Sequence, residues 1–362
     1  MALDTDLESW LRLSLIPGLG HQSLRKLLVA FGAPQQIFAT PHTALTKVVP
    51  ATVAAVICKG GATADRVDAV SHWLDDPVNR VVTLADSIYP QALLQTPDPP
   101  PLLYVKGRTD LLNHDAMAIV GSRSASPQGI ANAESFARAL SEAGLTIVSG
   151  LALGIDAAAH RGGLAGVAGS IAVVGTGLDI VYPARNRELA HQLAEQGAIL
   201  SEFPLGTPAL GANFPRRNRL ICGLARGCLV VEAALQSGSL ITARLANEQG
   251  KEVFAVPGSI HSPLSKGCHL LIKQGAKLAE SAQDIMEELH LPARAPVPAN
   301  PPLSAEPRIQ ALLDQLGFDP CDIDGLCARS GLTSDAVSSV LTQLEIEGRV
   351  AALPGGLYQR IS

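Results

Sequence analysis

Apolar residues recur at i, i+3 and i+4 in LESWLRLSLI and again in HQSLRKLLVAFG, the spacing of one face of a helix. Between these runs lies Ile16-Pro17-Gly18-Leu19-Gly20, a Gly-containing turn that reads as a helix-hairpin-helix. Such a turn can offer backbone N–H groups to a phosphate, or it can simply join two packed helices. From about residue 76 the period changes. VVTL and PLLYVKG read as strands separated by a segment whose prolines forbid a helix. Apolar runs then alternate with amphipathic ones. MAIVGSR, LTIVSG, SIAVVGTG, AILSEF, GCLVVEAA and KEVFAVPG are strand-like, and GIANAESFARALSEAG, GIDAAAHRGGLAG, RNRELAHQLAEQG and LITARLANEQG are helical. Strands that are apolar throughout and end in Gly or Ser predict a parallel sheet buried on both faces. This is an α/β, Rossmann-like, doubly wound core.

LPARAPVPANPPLSAEP follows, a Pro/Ala-rich extended linker. After it, PRIQALLDQLG, IDGLCARSG and TSDAVSSVLTQLEIEG read as three helices, and VAALPGGLYQRI as a hairpin around Pro354-Gly355-Gly356. That is a winged-helix pattern. The expected organisation is a helical, SAM-like block at 1–75, the Rossmann-like core at 76–290, the linker at 291–304 and the winged helix at 305–362. From residue 305 onward eight acids face four bases, and the third helix has no base before Arg349. This is a poor match to a phosphate backbone, so the winged helix fits a protein-interaction or dimer-supporting role better than duplex reading.

Composition narrows the picture. Hydrophobic residues make up 47% and charged residues 17%, enough for a core and too few charges for a disordered chain. Thirty-three glycines beside only 4% aromatics suit tight strand-to-helix turns. The net charge of −5 requires any nucleic-acid site to be a local basic patch. No two of the six cysteines have CxxC spacing, so no metal site is expected and the thiols are read as reduced and cytoplasmic. The N-terminus is acidic, unlike a signal peptide. The uncharged stretch 162–178 is Gly-broken and shorter than the roughly 20 residues of a membrane span, so no membrane insertion is expected.

In an open parallel sheet, ligands bind beyond the carboxyl ends of the strands. Four Gly/Ser-rich loops fall there: Gly121-Ser122-Arg123-Ser124, Ser149-Gly150-Leu151-Ala152, Gly175-Thr176-Gly177-Leu178-Asp179 and Ser237-Gly238-Ser239-Leu240. Together they predict an anion-binding rim. Asn213-Phe214-Pro215-Arg216-Arg217-Asn218-Arg219 adds three arginines, whose planar forks suit phosphate, and a phenylalanine on which a base can stack. Arg123 and Arg185 extend the basic rim. Against an enzyme, GTG at 175–177 lacks the full GxGxxG, no P-loop lysine is present, and the histidines are scattered. His160 reads as a packing histidine, and Asp156 as a support for its turn. No cofactor is expected. A nucleotide-processing enzyme on this core, or a scaffold for protein partners, are the competing readings.

The order of AIVGSR, VSGLALGIDAAAH, AVVGTGLDIVYPARN, SEFPLG, FPRRNRLICGL, EAALQSGSLITA, FAVPGSI and GCHLLIKQGA resembles the DprA/Smf family over residues 105–280. The resemblance implies a single-stranded DNA-binding protein, not an enzyme, that dimerises through its Rossmann core. It implies loading of RecA during natural transformation. Carried over by motif, DNA contacts fall on Gly121, Ser122, Arg123, Arg217, Asn218 and Arg219, joined by Ser237, Gly238 and Ser239. With the rim residues Gly150, Arg185 and Arg216, these form the expected DNA site. The dimer and RecA-facing surface falls on His269, Leu270, Ile272 and Leu278. Where relatives carry a base directly after the YP of GLDxxYP, this chain has Ala184 and then Arg185, which is expected to substitute.

Overall fold

The computed structural model describes residues 3–291 and 307–361. The linker expected at 291–304 lies, apart from Leu291, outside the described residues. Strands β1 (Asn79–Thr83), β2 (Leu102–Gly107), β3 (Ala116–Val120), β4 (Thr146–Ser149), β5 (Ser170–Val173), β6 (Ala198–Ser201), β7 (Gly227–Val230), β8 (Glu252–Ala255) and β9 (Lys277–Leu278) form one sheet. Its order is β1-β2-β6-β5-β4-β3-β7-β8-β9. Every pairing from β6 to β9 is parallel. The chain runs outward from β3 through β4, β5 and β6, then returns to the other side of β3 as β7. Adjacent strands β3 and β7 thus mark the point where the winding reverses. The core is a doubly wound α/β sheet, as the apolar strand pattern requires. It is extended by an antiparallel edge, since β2 pairs antiparallel with both β1 and β6.

Strand β3 shows how the two faces are filled. Met117 and Ile119 join Phe136, Ala137 and Ala158 on one side. Ala118 and Val120 join Leu220, Ile221 and Ala243 on the other. Helices Pro127–Glu142 and Ile155–Ala165 therefore cover one face, and Asn213–Leu224 and Gly238–Glu248 the other. Glycine lets the first pair approach closely. A Cβ on Gly162 would lie 2.2 Å from the Glu134 carbonyl oxygen.

Six helices between Thr5 and Trp73 precede the sheet. Trp10, Leu11, Val67 and Val70 pack with Leu102 and Tyr104 of β2, and Trp73 meets Tyr104 edge-on at 5.9 Å. The C-terminal segment has helices Pro307–Leu316, Ile323–Ser330 and Ser334–Ile346. Strands β10 (Cys321–Asp322), β11 (Val350–Leu353) and β12 (Leu357–Arg360) pair antiparallel in the order β10-β12-β11. This is the winged helix, with Gly355 and Gly356 at φ +86° and +73° in the wing turn. Among the described residues no helix is long and apolar enough to cross a membrane.

Candidate DNA-binding rim

At the reversal point the loops after β3 and β7 diverge and leave a cavity of about 670 Å³. Gly121, Ser122, Arg123 and Ser124 line one side. Ser237, Gly238 and Ser239 line the other, and Phe214, Arg217, Asn218 and Asp156 close it. The β3 loop is tightly held. Ser122 donates its N–H to the Glu232 carbonyl at 2.8 Å and accepts from Ile155 N–H at 3.1 Å. A Cβ on Gly121 would come within 2.6 Å of Ile155, so only glycine permits this turn. The Glu232 carboxylate also crosses from the β7 loop to accept from Ser126 N–H at 2.9 Å and from Ser126 Oγ at 2.5 Å. Ser126 in turn caps helix Pro127–Glu142 by accepting from Gly129 N–H at 2.9 Å. Sequence reasoning missed Glu232. Its signal was an acid directly after an apolar strand, which a parallel sheet tolerates only where the carboxylate has partners.

Helix Gly238–Glu248 points its N-terminus into the cavity. Ser237 caps it, with Oγ accepting from Ser239 N–H at 3.3 Å. Free N–H groups and the positive end of the helix dipole give this wall an affinity for anions.

The arginine run FPRRNR folds as the start of helix Asn213–Leu224, and helix geometry splits it. Successive residues are about 100° apart around a helix, so the three arginines face different surroundings. Arg216 is exposed, 3.3 Å from Glu202 Oε1 and over the Phe203 ring. Arg219 is bound to the Glu202 carboxylate and the Asp98 carbonyl. Neither lines the cavity, so the structure does not bring these two expected DNA contacts together with Arg123 there. Arg217 lines it from below and is only 4% exposed. Its guanidinium donates to the Gly150 carbonyl at 2.6 Å and to the Val173 carbonyl, and its Nε to Asn218 Oδ1 at 3.1 Å. Arg217, expected among the DNA contacts, thus borders the cavity while bracing the Gly150 loop with a buried guanidinium.

Asp156 is the buried counter-charge. It accepts from Gly150 N–H at 3.1 Å and Ala152 N–H at 3.4 Å, holding the β4 loop as the sequence reading proposed. Burial raises its pKa against the opposing pull of Arg217. Burial likewise lowers Arg217 to about 10, against the support of Asp156, so the arginine stays charged at neutral pH. His160 is fully buried, and burial first, then Arg217 and Arg161, lower its pKa to about 3. Ser170 Oγ donates to the Ile147 carbonyl, which leaves it to accept from His160 Nδ1–H at 2.7 Å. His160 Nε2 then accepts from Leu151 N–H at 3.3 Å. Both ring nitrogens are engaged, as a packing histidine requires.

The cavity mouth is aromatic and basic. The Phe214 ring lies 5.6 Å from Tyr182, inclined at 34°, and Arg123 sits 5.6 Å over the same ring. Arg185 is exposed on the turn just beyond Tyr182-Pro183. Gly150 lines a smaller adjoining cavity of about 70 Å³ with Arg123, Tyr182 and Phe214, and a Cβ on it would meet Arg217 at 2.6 Å. Far along the sheet, Leu278 is exposed on edge strand β9, and Leu270 is exposed on helix Lys266–Lys273. Ile272 is half-buried, and His269 Nε2 lies 3.0 Å from the Gly258 carbonyl.

Two family models match. DNA recombination-mediator protein A covers residues 80–290, and the DprA winged helix domain covers 293–356. The Smf protein of Escherichia coli is 44% identical over 297 residues, 80% of this chain and 79% of that protein. The DNA processing protein DprA of Streptococcus pneumoniae is 48% identical over 206 residues, 57% of this chain and 73% of its own length. The X-ray structure of S. pneumoniae DprA superposes with a TM-score of 0.68 at 38% identity, covering 80% of this chain and 99% of that one. A DprA structure from Helicobacter pylori, described for its single-stranded DNA binding mode, gives 0.53 at 32% identity over 58% of this chain and 96% of that one. With half its length matched by the recombination-mediator model and the rest of the match extending through the winged helix, the chain belongs to the DprA/Smf family of DNA-processing proteins.

Proposed function

We propose that this protein binds single-stranded DNA at the rim between β3 and β7, with little regard to sequence. The observation that carries the reading is the make-up of the rim. Serine hydroxyls and backbone N–H groups at a helix N-terminus suit phosphate oxygens. The Arg123–Phe214–Tyr182 stack beside them offers a face for any base. Gly121, Ser122, Asn218, Ser237, Gly238 and Ser239 form the phosphate side. Arg123 and Arg185 supply its free positive charge, and Arg217 with Gly150 supports it from beneath. The single-stranded DNA binding mode described for the H. pylori relative favours the same ligand.

In this reading the protein works in the cytoplasm as a homodimer, joined along the β9 edge through His269, Leu270, Ile272 and Leu278. Two rims then hold one strand with the avidity of linked sites. It protects incoming DNA and hands it to RecA. The role is binding rather than turnover: His160 is sealed inside, and the carboxyl group of Asp156 is spent on its own loop.

The test is binding of a labelled oligo(dT), beside its duplex, over a salt series. Arg123→Ala plus Arg185→Ala is expected to weaken binding on all sequences and to lower the log–log salt slope by about 1.4, roughly 0.7 for each lost phosphate contact on a single strand. Unchanged binding by the folded double variant defeats the rim assignment. Turnover of a free nucleotide would favour an enzyme, and RecA binding that survives loss of DNA binding would favour a scaffold.

A further inference from the structure

The first helical block carries its charge unevenly. Between Ser9 and Ala64 there is no Asp or Glu, in a chain with 33 of them, while Arg12, Arg25, Lys26, Lys47 and Lys59 all fall in that span. Three of these five bases meet at one place. Arg25, Lys26 and Lys47 line a groove of about 680 Å³ whose apolar surface is Val29, Val48 and Pro97. Val29 is 86% exposed, an apolar residue with no packing role in the chain itself. Lys26 and Lys47 are exposed and carry no ion pair or hydrogen bond among the described residues. The groove's one acid, Asp98, is already engaged by Arg25 at 3.3 Å and by Arg219.

The groove is tied to the rim through a single helix. The carbonyl of Asp98 accepts from Arg219 of helix Asn213–Leu224. The other side of that helix presents Phe214 and Asn218 to the rim cavity. Rim and groove therefore flank one helix, roughly 10 Å across. Exposed Arg216 is carried by the same helix.

We propose that this groove is a second contact for single-stranded DNA, holding a strand after it leaves the rim. Lys26, Lys47 and Arg25 neutralise the backbone, and Val29, Val48 and Pro97 give the unpaired bases an apolar surface. The combination favours a single strand, because a duplex keeps its bases stacked inside and has no use for an apolar floor. The inference rests on the rim being the first DNA site, and it adds a length dependence beyond the avidity of two paired rims.

The test uses the full-length chain and fluorescence anisotropy with two oligo(dT) probes, one of about 8 nucleotides and one of about 40, within and well beyond the span of a single small site. Lys26→Glu plus Lys47→Glu is compared with Lys26→Gln plus Lys47→Gln and with Lys59→Glu, an exposed base of the same block outside the groove. The groove variants are expected to bind the long probe about tenfold more weakly at low salt, with a salt slope lower by about 1.4, and to bind the short probe as the wild type does. Lys59→Glu is expected to bind both normally. Unchanged long-probe binding, or equal loss on both probes, each overturn the groove while leaving the rim standing. A wild type that binds neither probe overturns the rim and the groove together.

Discussion

Replacing Arg217 by alanine should cost folding stability first, and DNA binding only as a consequence. The guanidinium satisfies the Gly150 and Val173 carbonyls and opposes the buried charge of Asp156. Its removal leaves the two carbonyl acceptors without a donor and takes a positive charge away from the neighbourhood of buried Asp156. Leaving a buried hydrogen-bond acceptor unsatisfied costs about 1–3 kcal/mol, so two cost about 2–6 kcal/mol. At roughly 2–4 °C per kcal/mol for a core of this size, melting should fall by about 10 °C. The loss has a pH signature. The folded pKa of Asp156 is already raised by burial, so folding takes up protons there, and its penalty grows as pH rises through that pKa. Without Arg217 the pKa rises further. The gap between variant and wild type should thus be widest near neutral pH and narrow as the solution is acidified. His160 shifts the same way, since Arg217 also lowers its pKa. Asp156→Asn in the Arg217→Ala background should recover part of the stability at neutral pH. Calorimetric melting from pH 5 to 8, with binding measured well below the transition, reads all of this. An Arg217→Ala protein that melts like the wild type but no longer binds oligo(dT) would refute the reasoning and return Arg217 to the DNA surface.

Three further outcomes are expected. His160 has a folded pKa of about 3 against 6.5 unfolded, so the native state loses stability as pH falls below about 6.5, at up to about 1.4 kcal/mol per pH unit; His160→Gln should flatten that part of the acid-denaturation curve. Gly162→Ala forces a Cβ to 2.2 Å from the Glu134 carbonyl and should cost about 1–3 kcal/mol in thermal unfolding, while Gly211→Ala, with nothing within 4 Å, should be neutral. Leu270→Asp plus Leu278→Asp puts charge on the exposed β9 edge and should shift sedimentation from dimer to monomer, with weaker binding of long oligo(dT) from lost avidity.

The sequence by itself determined the layered core and the sheet edge at which the candidate cavity opens. Strands without a polar side chain such as AMAIV and GCLV can only be buried on both faces, which calls for helices on each side and a parallel sheet. The loops carrying Gly121, Gly150 and Ser237 follow strands of that sheet, so their gathering at the carboxyl edge was fixed by chain direction alone. Strand order and side-chain direction were not. That β7 returns beside β3, which opens the cavity, depends on long-range pairing that no local pattern encodes. FPRRNR reads as one basic cluster along the chain, yet helical rotation sends Arg217 under the Gly150 loop, Arg219 to Glu202 and Asp98, and Arg216 outward. Glu232 became legible only when the Ser126 N–H that it holds, 106 residues away, was brought within reach. A sequence ranks residues by type and spacing. Whether a charge meets solvent or a buried carbonyl is decided by which chain segments pack around it, and that is a property of the tertiary structure alone.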